Sequence, residues 1–138
     1  MAILSVEEAL TYKVIHASAV SALIGPRFHP LRLPDTATLP AATYQEISNK
    51  SASTMDETPG STLICSRYQI DSWATSHKVS REVSKAIFAV LHGYKGQIVS
   101  GFNTFTFQVI LRVSRRSNHD PETGLYWTSQ DFMVWYTE

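Results

Sequence analysis

The sequence predicts an α+β fold with a mainly antiparallel β-sheet, two amphipathic helices packed on one face of the sheet and a long C-terminal β-hairpin. Two observations predict this class. Helical and strand patterns follow one another in the order helix, strands, helix, strands. Residues 102–136 show the period-two pattern of paired strands on both sides of a turn-rich segment. The 138 residues are expected to form a single domain.

The first helix is expected at about residues 5–24. Ser5 is a favourable N-cap, and Glu8, three residues later, completes a capping box. Gly25 and Pro26 then end the helix. Apolar residues recur near the helical period and form one stripe: Val6, Leu10, Val14, Ala17 and Ile24.

The middle of the chain is expected to alternate between extended and irregular segments. Four prolines punctuate residues 25–40, which therefore predict an edge strand or a surface crossing. Residues 41–47 predict a short strand, and residues 62–73 a strong one. Residues 48–61 between them have almost nothing to bury, so they predict a long mobile loop, which in a small domain is usually functional or disordered.

The second helix is expected at residues 76–92, and its apolar stripe is the clearest in the chain. Such a stripe must be buried against the sheet. The helix residues Val79, Val83, Ile87 and Val90 are therefore expected to pack on the strand face that carries Phe105, Phe107, Val109 and Leu111.

The closing strands are expected at residues 97–113 and 125–136. The alternation from Phe102 to Val113 is strict, with apolar side chains on one face only. The return strand has apolar residues on both faces, and two helices cover only one face of a sheet. The set Leu125, Trp127, Met133 and Trp135 therefore lies opposite a second set, which we expect to form a subunit interface: Tyr126, Phe132, Val134 and Tyr136.

Composition argues against several classes of partner. The formal net charge is zero and 17% of the residues are charged, whereas nucleic-acid binding needs clustered Lys and Arg. No run approaches the roughly 18 apolar residues of a membrane span, and the N-terminus lacks the pattern of a signal peptide. A single cysteine, Cys65, is expected to be a buried thiol. These features fit a cytoplasmic chain without a membrane partner.

No motif predicts an enzyme, a metal site or a cofactor. The five histidines lack the spacing of a zinc site, and no glycine-rich phosphate loop occurs. Solvated polar residues are common in turns and proline-rich segments. We therefore interpret the two strongest catalytic candidates as solvated polar residues. One is His119 and Asp120 beside Arg115 and Arg116, and the other is His29 with Arg32 and Asp35.

Short apolar signatures and their spacing carry a family resemblance over nearly the whole chain. The N-terminal helix ends in residues 23–28 (Leu-Ile-Gly-Pro-Arg-Phe), and residues 39–44 (Leu-Pro-Ala-Ala-Thr-Tyr) lead into a strand. A Ser/Thr-rich loop, a strand, the helix at residues 76–91 and a hairpin that ends in Val-Trp-Tyr at 134–136 follow. The sequence resembles the tail-completion proteins of long-tailed bacteriophages, also called tail terminator or tail-to-head joining proteins.

The resemblance implies structural work in virion assembly. Subunits of this family are expected to close into a hexameric ring that caps the finished tail tube and joins it to the head connector. The implied partners are other copies of the chain, the tail tube protein and the connector proteins, with DNA present only where it passes through the ring. The implied location is the host cytoplasm during assembly and then the tail–head junction of the virion.

Two polar segments are expected to contact the tail tube or the connector and to become ordered on assembly. They are residues 48–61 and 115–124. The candidate contact residues are Lys50, Met55, Asp56 and Glu57 in the first segment, and Arg115, Arg116, His119 and Asp120 in the second.

Two other classes stay open on the sequence alone. One is a small-ligand-binding or enzymatic α+β barrel with a pocket lined by Phe105, Phe107, Trp127 and Trp135. The other is a dimeric binding module that pairs strands through the hairpin edge. A ligand site requires a concave pocket with convergent polar groups, whereas a ring subunit requires a heterologous interface that closes on itself.

Overall fold

One six-stranded mixed sheet organises the molecule, and three helices pack on one of its faces. The computed structural model describes residues 5–36, 38–52, 63–100 and 103–137. In chain order the elements are α1 (Val6–Ile15), α2 (Ser18–Ile24), β1 (Phe28–Pro30), β2 (Ala41–Ala52), β3 (Leu63–Ala74), α3 (His77–Leu91), β4 (Gly96–Ser100), β5 (Asn103–Asp120) and β6 (Leu125–Thr137).

The strand order across the sheet is β1-β2-β3-β6-β5-β4. The short β1 runs parallel to β2, and every other neighbouring pair is antiparallel. The predicted α+β class with a mainly antiparallel sheet is therefore confirmed. None of the helices in the described ranges is long and apolar enough to span a membrane.

The two longer helices begin at serine caps, of which Ser5 was predicted. The Ser5 hydroxyl accepts a hydrogen bond from the Glu8 backbone N–H at 3.2 Å, and Ser76 accepts one from the Val79 N–H at the same distance. Each bond satisfies one of the backbone donors that a helix start leaves free. After α3, Gly93 takes a φ of 79°, a conformation that favours glycine at a helix end.

The region expected to be one helix at residues 5–24 is two helices. The His16 ring stacks on the Tyr12 ring with centroids 3.9 Å apart, and the His16 backbone N–H donates to the Tyr12 carbonyl at 3.1 Å. Ala17 then adopts an extended backbone with ψ 123°, which ends the helical run. The change of direction lets α2 bury Val20 and Ile24 completely.

The segment expected to be a loop at residues 48–61 begins as strand. β2 runs past the predicted end at residue 47, and residues 48–52 pair with residues 63–67 of β3. Backbone hydrogen bonds hold this polar stretch, because a strand ladder does not require apolar side chains. A register shift between Glu46 and Ser48 places Ile47 in a bulge, where it is 47% exposed.

The strict alternation expected from Phe102 to Val113 is interrupted twice. The pairing of β5 with β6 shifts between Phe107 and Val109, and again between Arg112 and Ser114. Each shift adds one residue to β5 and reverses the face of the residues that follow. Ile110 is therefore buried, whereas Leu111 is 40% exposed.

The core lies between α3 and the helix side of the sheet. Val83 and Ile87 belong to the same buried cluster as Phe105 and Phe107, as predicted. The predicted partners Val109 and Leu111 are wrong, because the first bulge turns both away from the helix. Residues at the margin of the cluster include Val79 and Val90, and the buried residues that replace the wrong pair are Ile110, Phe132 and Val134.

The core assignment predicts which truncations unfold the subunit. Ile87→Ala and Phe107→Ala should each lower the free energy of unfolding by roughly 2–5 kcal/mol, because each leaves a cavity in a fully packed region. The matched control is Leu111→Ala, on the same strand but 40% exposed, which should cost less than about 1 kcal/mol. Urea denaturation followed by circular dichroism measures the free energy of unfolding of all three variants. If Leu111→Ala and Phe107→Ala lost equal amounts, the assignment of Phe107 to the core and Leu111 to the outside would be wrong.

Candidate assembly surfaces

The face of the sheet opposite the helices, the outer face, carries four neighbouring apolar side chains. Val109 pairs with Trp135 and Leu111 pairs with Met133 across β5 and β6. Leu111 is 40% exposed and the other three are half-buried. Contiguous apolar surface of this kind marks protein interaction sites. We call these four residues the outer strip.

The subunit interface expected from the sequence lies on the other face. Phe132 and Val134 are completely buried, and Tyr136 is 5% exposed, all within the chain's own core. They pair with Tyr68, Ser66 and Ile64 of β3 on the helix side of the sheet. That expectation is therefore wrong for these three residues. Tyr126, the fourth, is half-buried at the start of β6, where its ring stacks on His119 at 4.2 Å.

A charged network lies on the outer face beside the outer strip. Arg67 Nε and Nη2 both donate to Asp131 Oδ2, at 3.0 and 2.7 Å. Arg116 Nη1 lies 3.6 Å from the other carboxylate oxygen, and Arg116 Nη2 donates to Gln69 Oε1 at 3.1 Å. The Asp131 side chain is only 8% exposed, so the two arginines neutralise a nearly buried charge.

The hairpin end of the sheet, where β5 passes into β6, is ordered by its own turn chemistry. Asp120 Oδ1 accepts the Glu122 backbone N–H at 3.0 Å, and Asp120 Oδ2 accepts the Thr123 hydroxyl at 3.0 Å. Gly124 closes the turn with a φ of 72°. The predicted loop at residues 115–124 is therefore mostly strand, because β5 continues to Asp120. Arg115, Arg116, His119 and Asp120 all lie in β5 or at its end.

The opposite end of the sheet, the loop end, is where β2 stops and β3 starts. Of the contact residues predicted in that region, Lys50 lies in β2 and is exposed, paired with Cys65. Met55, Asp56 and Glu57 lie outside the described residues. Cys65 is buried as expected, and its burial raises the pKa of the thiol, an effect that nearby Lys50 partly offsets.

The ligand-pocket alternative does not fit the side-chain placement. Phe105 and Phe107 fill the core on the helix side, whereas Trp127 and Trp135 lie on the outer face. The four aromatic residues therefore cannot line one cavity. Trp127 instead stacks on Trp73 with centroids 4.8 Å apart.

The strand-pairing alternative has little free edge to use. Residues 103–107 of β5 pair with β4, and the Ile110 backbone exchanges hydrogen bonds with Gly93 and Tyr94. The Arg112 backbone N–H donates to the His92 ring at 3.0 Å. These contacts confine the open edge of β5 in the described structure to the charged stretch next to the hairpin end.

The catalytic candidate at the hairpin end, His119 with Asp120, does not form a reactive pair. The His119 ring stacks on the Tyr126 ring, whereas the Asp120 carboxylate accepts hydrogen bonds from Glu122 and Thr123 of the hairpin turn. Within the part of the chain that the structure describes, no cluster of three His, Cys, Asp or Glu side chains could hold a metal ion.

An acidic cleft lies between α1 and the start of the sheet. Two adjoining depressions, of about 380 and 340 Å³, share Glu7 and Tyr44. Glu46 lines the first and accepts the Tyr68 hydroxyl at 3.2 Å, and Glu8 lines the second. Among the residues that the structure describes, no Lys or Arg lines either depression. Burial raises the pKa of the Tyr68 phenol, and the carboxylates of Glu7 and Glu46 raise it further.

A basic groove of about 690 Å³ runs between α3 and β5. Within the described ranges, Glu82 is the one acidic residue that lines it. Burial lowers the pKa of the Arg112 guanidinium, and the nearby charges of Arg115 and Arg81 lower it further. We define the basic groove by Lys78, Arg81, Lys85, Phe88, Arg112 and Arg115.

Sequence reasoning missed both charged surfaces. Lys78, Arg81 and Lys85 stand at helical spacing on one side of α3, which is a visible signal. The two arginines that β5 adds to the groove could not be predicted, because Arg112 and Arg115 lie together on the helix side only as a result of the two bulges. The acidic cleft joins α1 to β2, two elements far apart in the chain, so its carboxylates could be grouped only once the fold was known.

Apolar and charged surfaces of this kind are typical of a structural protein that contacts other proteins. The family model for tail completion protein gp17 matches residues 8–137, so the chain belongs to this family of bacteriophage tail proteins. A solved chain from the virion of a native gene transfer agent particle shares the fold, with a TM-score of 0.71 and 11% sequence identity. The match covers 97% of this chain and 96% of that chain. No curated protein sequence matches this one.

The environment of Tyr68 predicts an alkaline limit to stability. Unfolded tyrosine titrates near pH 10, and the folded pKa of Tyr68 lies above that value. A raised folded pKa gives stability that is complete below about pH 10 and is lost as the pH rises, by up to about 1.4 kcal/mol per pH unit. Tyr68→Phe removes this group, so its unfolding free energy should fall less steeply above pH 10.

Urea denaturation between pH 7 and strongly alkaline solution measures the two slopes. Tyr126→Phe, at the hairpin end, controls for the removal of a tyrosine elsewhere. Identical alkaline slopes for Tyr68→Phe and the parent protein would contradict the assignment.

Proposed function

We propose that this chain is the subunit of a hexameric ring that caps the tail tube and joins the tail to the head connector. The observation that carries the proposal is that the sheet has two ends with different chemistry. The apolar outer strip lies toward the loop end, because Trp135 pairs with Cys65, two residues from the start of β3. The hairpin end carries charged and polar side chains, including Arg116, His119 and Asp120.

The distance between the two ends suits a joining protein. β3 and β6 run the length of the sheet with 12 and 13 residues. At about 3.3 Å per residue the ends are separated by roughly 40 Å. A subunit of this length that is placed between two partners presents one end to each.

The chemistry of each end suggests its partner. Permanent interfaces are more apolar than transient ones, so the loop end with the outer strip is assigned to the tail tube, to which the ring stays attached. The charged hairpin end is assigned to the connector, which meets the completed tail later. In this arrangement the partners are other copies of the chain, the tube protein and the connector. Assembly takes place in the host cytoplasm, and the ring then stays in the virion. DNA enters only as the molecule that passes through the ring, and no catalytic step is required.

The ring itself is tested by the mass of the native particle. Native mass spectrometry of the purified chain, alone and bound to tail tubes, should give six copies per tube end. A free monomer is compatible with assembly on the tube. One copy per tube end, or a closed dimer in both states, would contradict the ring.

The two-ended arrangement predicts different failures for variants at the two ends. Leu111→Glu should fold normally but fail to cap, giving tails of uncontrolled length, because a buried charge in the tube contact is unfavourable. Arg116→Ala combined with His119→Ala should give capped tails of normal length that do not join heads. Electron microscopy of assembling particles distinguishes these outcomes.

The matched control for Leu111→Glu is Ala89→Glu, which adds the same charge at an exposed position on α3. Ala89→Glu should assemble normally. If Leu111→Glu gave normal tails, or the hairpin variant gave uncapped ones, the assignment of the two ends would be wrong.

A further inference from the structure

The basic groove holds more positive charge than its own surroundings neutralise. Of the described residues that line it, five are Lys or Arg and one is a glutamate. Within the described ranges, the ion pairs that form are those of Asp131 with Arg67 and Arg116, and neither arginine belongs to the groove. Phe88 adds an aromatic ring to the lining, and the Arg112 guanidinium lies 4.0 Å from the centre of that ring. A groove of this kind suits an acidic protein surface with an apolar projection.

The same chain carries such a surface. The acidic cleft presents three carboxylates, and Glu7, Glu8 and Glu46 form no ion pair in the part of the chain that the structure describes. Leu31 lines the cleft and is 72% exposed. Its φ of 67° is uncommon for a residue other than glycine, and its N–H is held by the Tyr44 carbonyl at 2.8 Å. The fold therefore holds an apolar side chain outward beside the carboxylates.

We propose that the basic groove of one subunit binds the acidic cleft of the next copy of the chain around the ring. This inference rests on the proposed ring and names the contact that would close it. A ring requires a heterologous interface, in which two different surfaces of the chain meet. The groove and the cleft are lined by separate sets of residues and have opposite charge.

Charge also excludes the simplest alternative assembly through these surfaces. A two-fold dimer places one surface against its own copy, which would bring groove cations against groove cations. Like charges that meet in an interface are strongly unfavourable. Head-to-tail contact is the arrangement that neutralises both surfaces, and it agrees with a net charge of zero for the whole chain.

Carbodiimide cross-linking tests the contact directly, because the reagent joins a carboxylate to an amine only when the two touch. A mixture of unlabelled and ¹⁵N-labelled chain, bound to tail tubes, should give mixed-isotope peptides that link Glu7, Glu8 or Glu46 to Lys78 or Lys85. The yield should fall as NaCl is added, since salt screens exposed charges. Mixed-isotope peptides that join other surfaces, without these links, would overturn the inference.

Charge reversal gives a second test with internal rescue. The groove variant is Lys78→Glu with Arg81→Glu and Lys85→Glu, which makes the groove net negative, and the cleft variant is Glu7→Lys with Glu8→Lys. Each should lose association with itself by about tenfold or more. An equal mixture of the two should regain it, because every groove then meets a cleft of opposite charge. Rescue by mixing also shows that both variants are folded.

The controls are Lys95→Glu and Glu122→Lys, which make the same changes at exposed positions outside the groove and the cleft. Both should associate as the parent chain does. Normal rings from the groove variant would overturn the proposed contact and leave the ring intact. Loss of binding to a short DNA duplex by the groove variant, with normal rings, would instead identify nucleic acid as the occupant. Failure of the parent chain to form rings even on tail tubes would refute the proposed function itself.

Discussion

The register of β5 against β6 determines which side of the sheet each residue of the long hairpin faces. Two bulges, one after Phe107 and one after Arg112, set that register. The first places Ile110 in the core and leaves Leu111 outside. The second keeps Arg115 on the helix side with Arg112, beside α3. The core and the outer strip therefore depend on the first bulge, and the basic groove depends on both, because each bulge reverses every side chain beyond it.

The sequence was sufficient for the fold class and for the helix starts, because those signals are local. The capping serines and the amphipathic pattern of α3 act within a few residues of their positions. The bulges were not predictable, since Val109, Ile110 and Leu111 are three consecutive apolar residues and fit either phase of the alternation. An error of one residue in β5 was enough to misplace the partners of the helix. The break between α1 and α2 depends on tertiary burial, which periodicity does not show.

The assembly surfaces were harder to predict than the fold for a related reason. A net charge of zero describes the whole chain, and it does not show that cations collect along α3 and β5 while carboxylates collect around α1 and β2. The predicted interface on β6 was placed on the wrong face, because an apolar strand with two apolar faces does not reveal which face the helices cover. The contact residues expected near the hairpin were predicted from polarity as part of a loop, whereas Arg115, Arg116, His119 and Asp120 lie in β5.

The proposed contacts differ in kind, and that difference bears on the order of assembly. A contact between charged, solvated surfaces is screened by salt and weak for a single pair of subunits. An apolar contact at the loop end does not weaken in this way. Subunits that bind the tube first are held close together, which raises the effective concentration of each groove near its neighbouring cleft. The tube end would then act as the template on which the ring closes, and free chains would stay apart because their charged surfaces alone bind too weakly.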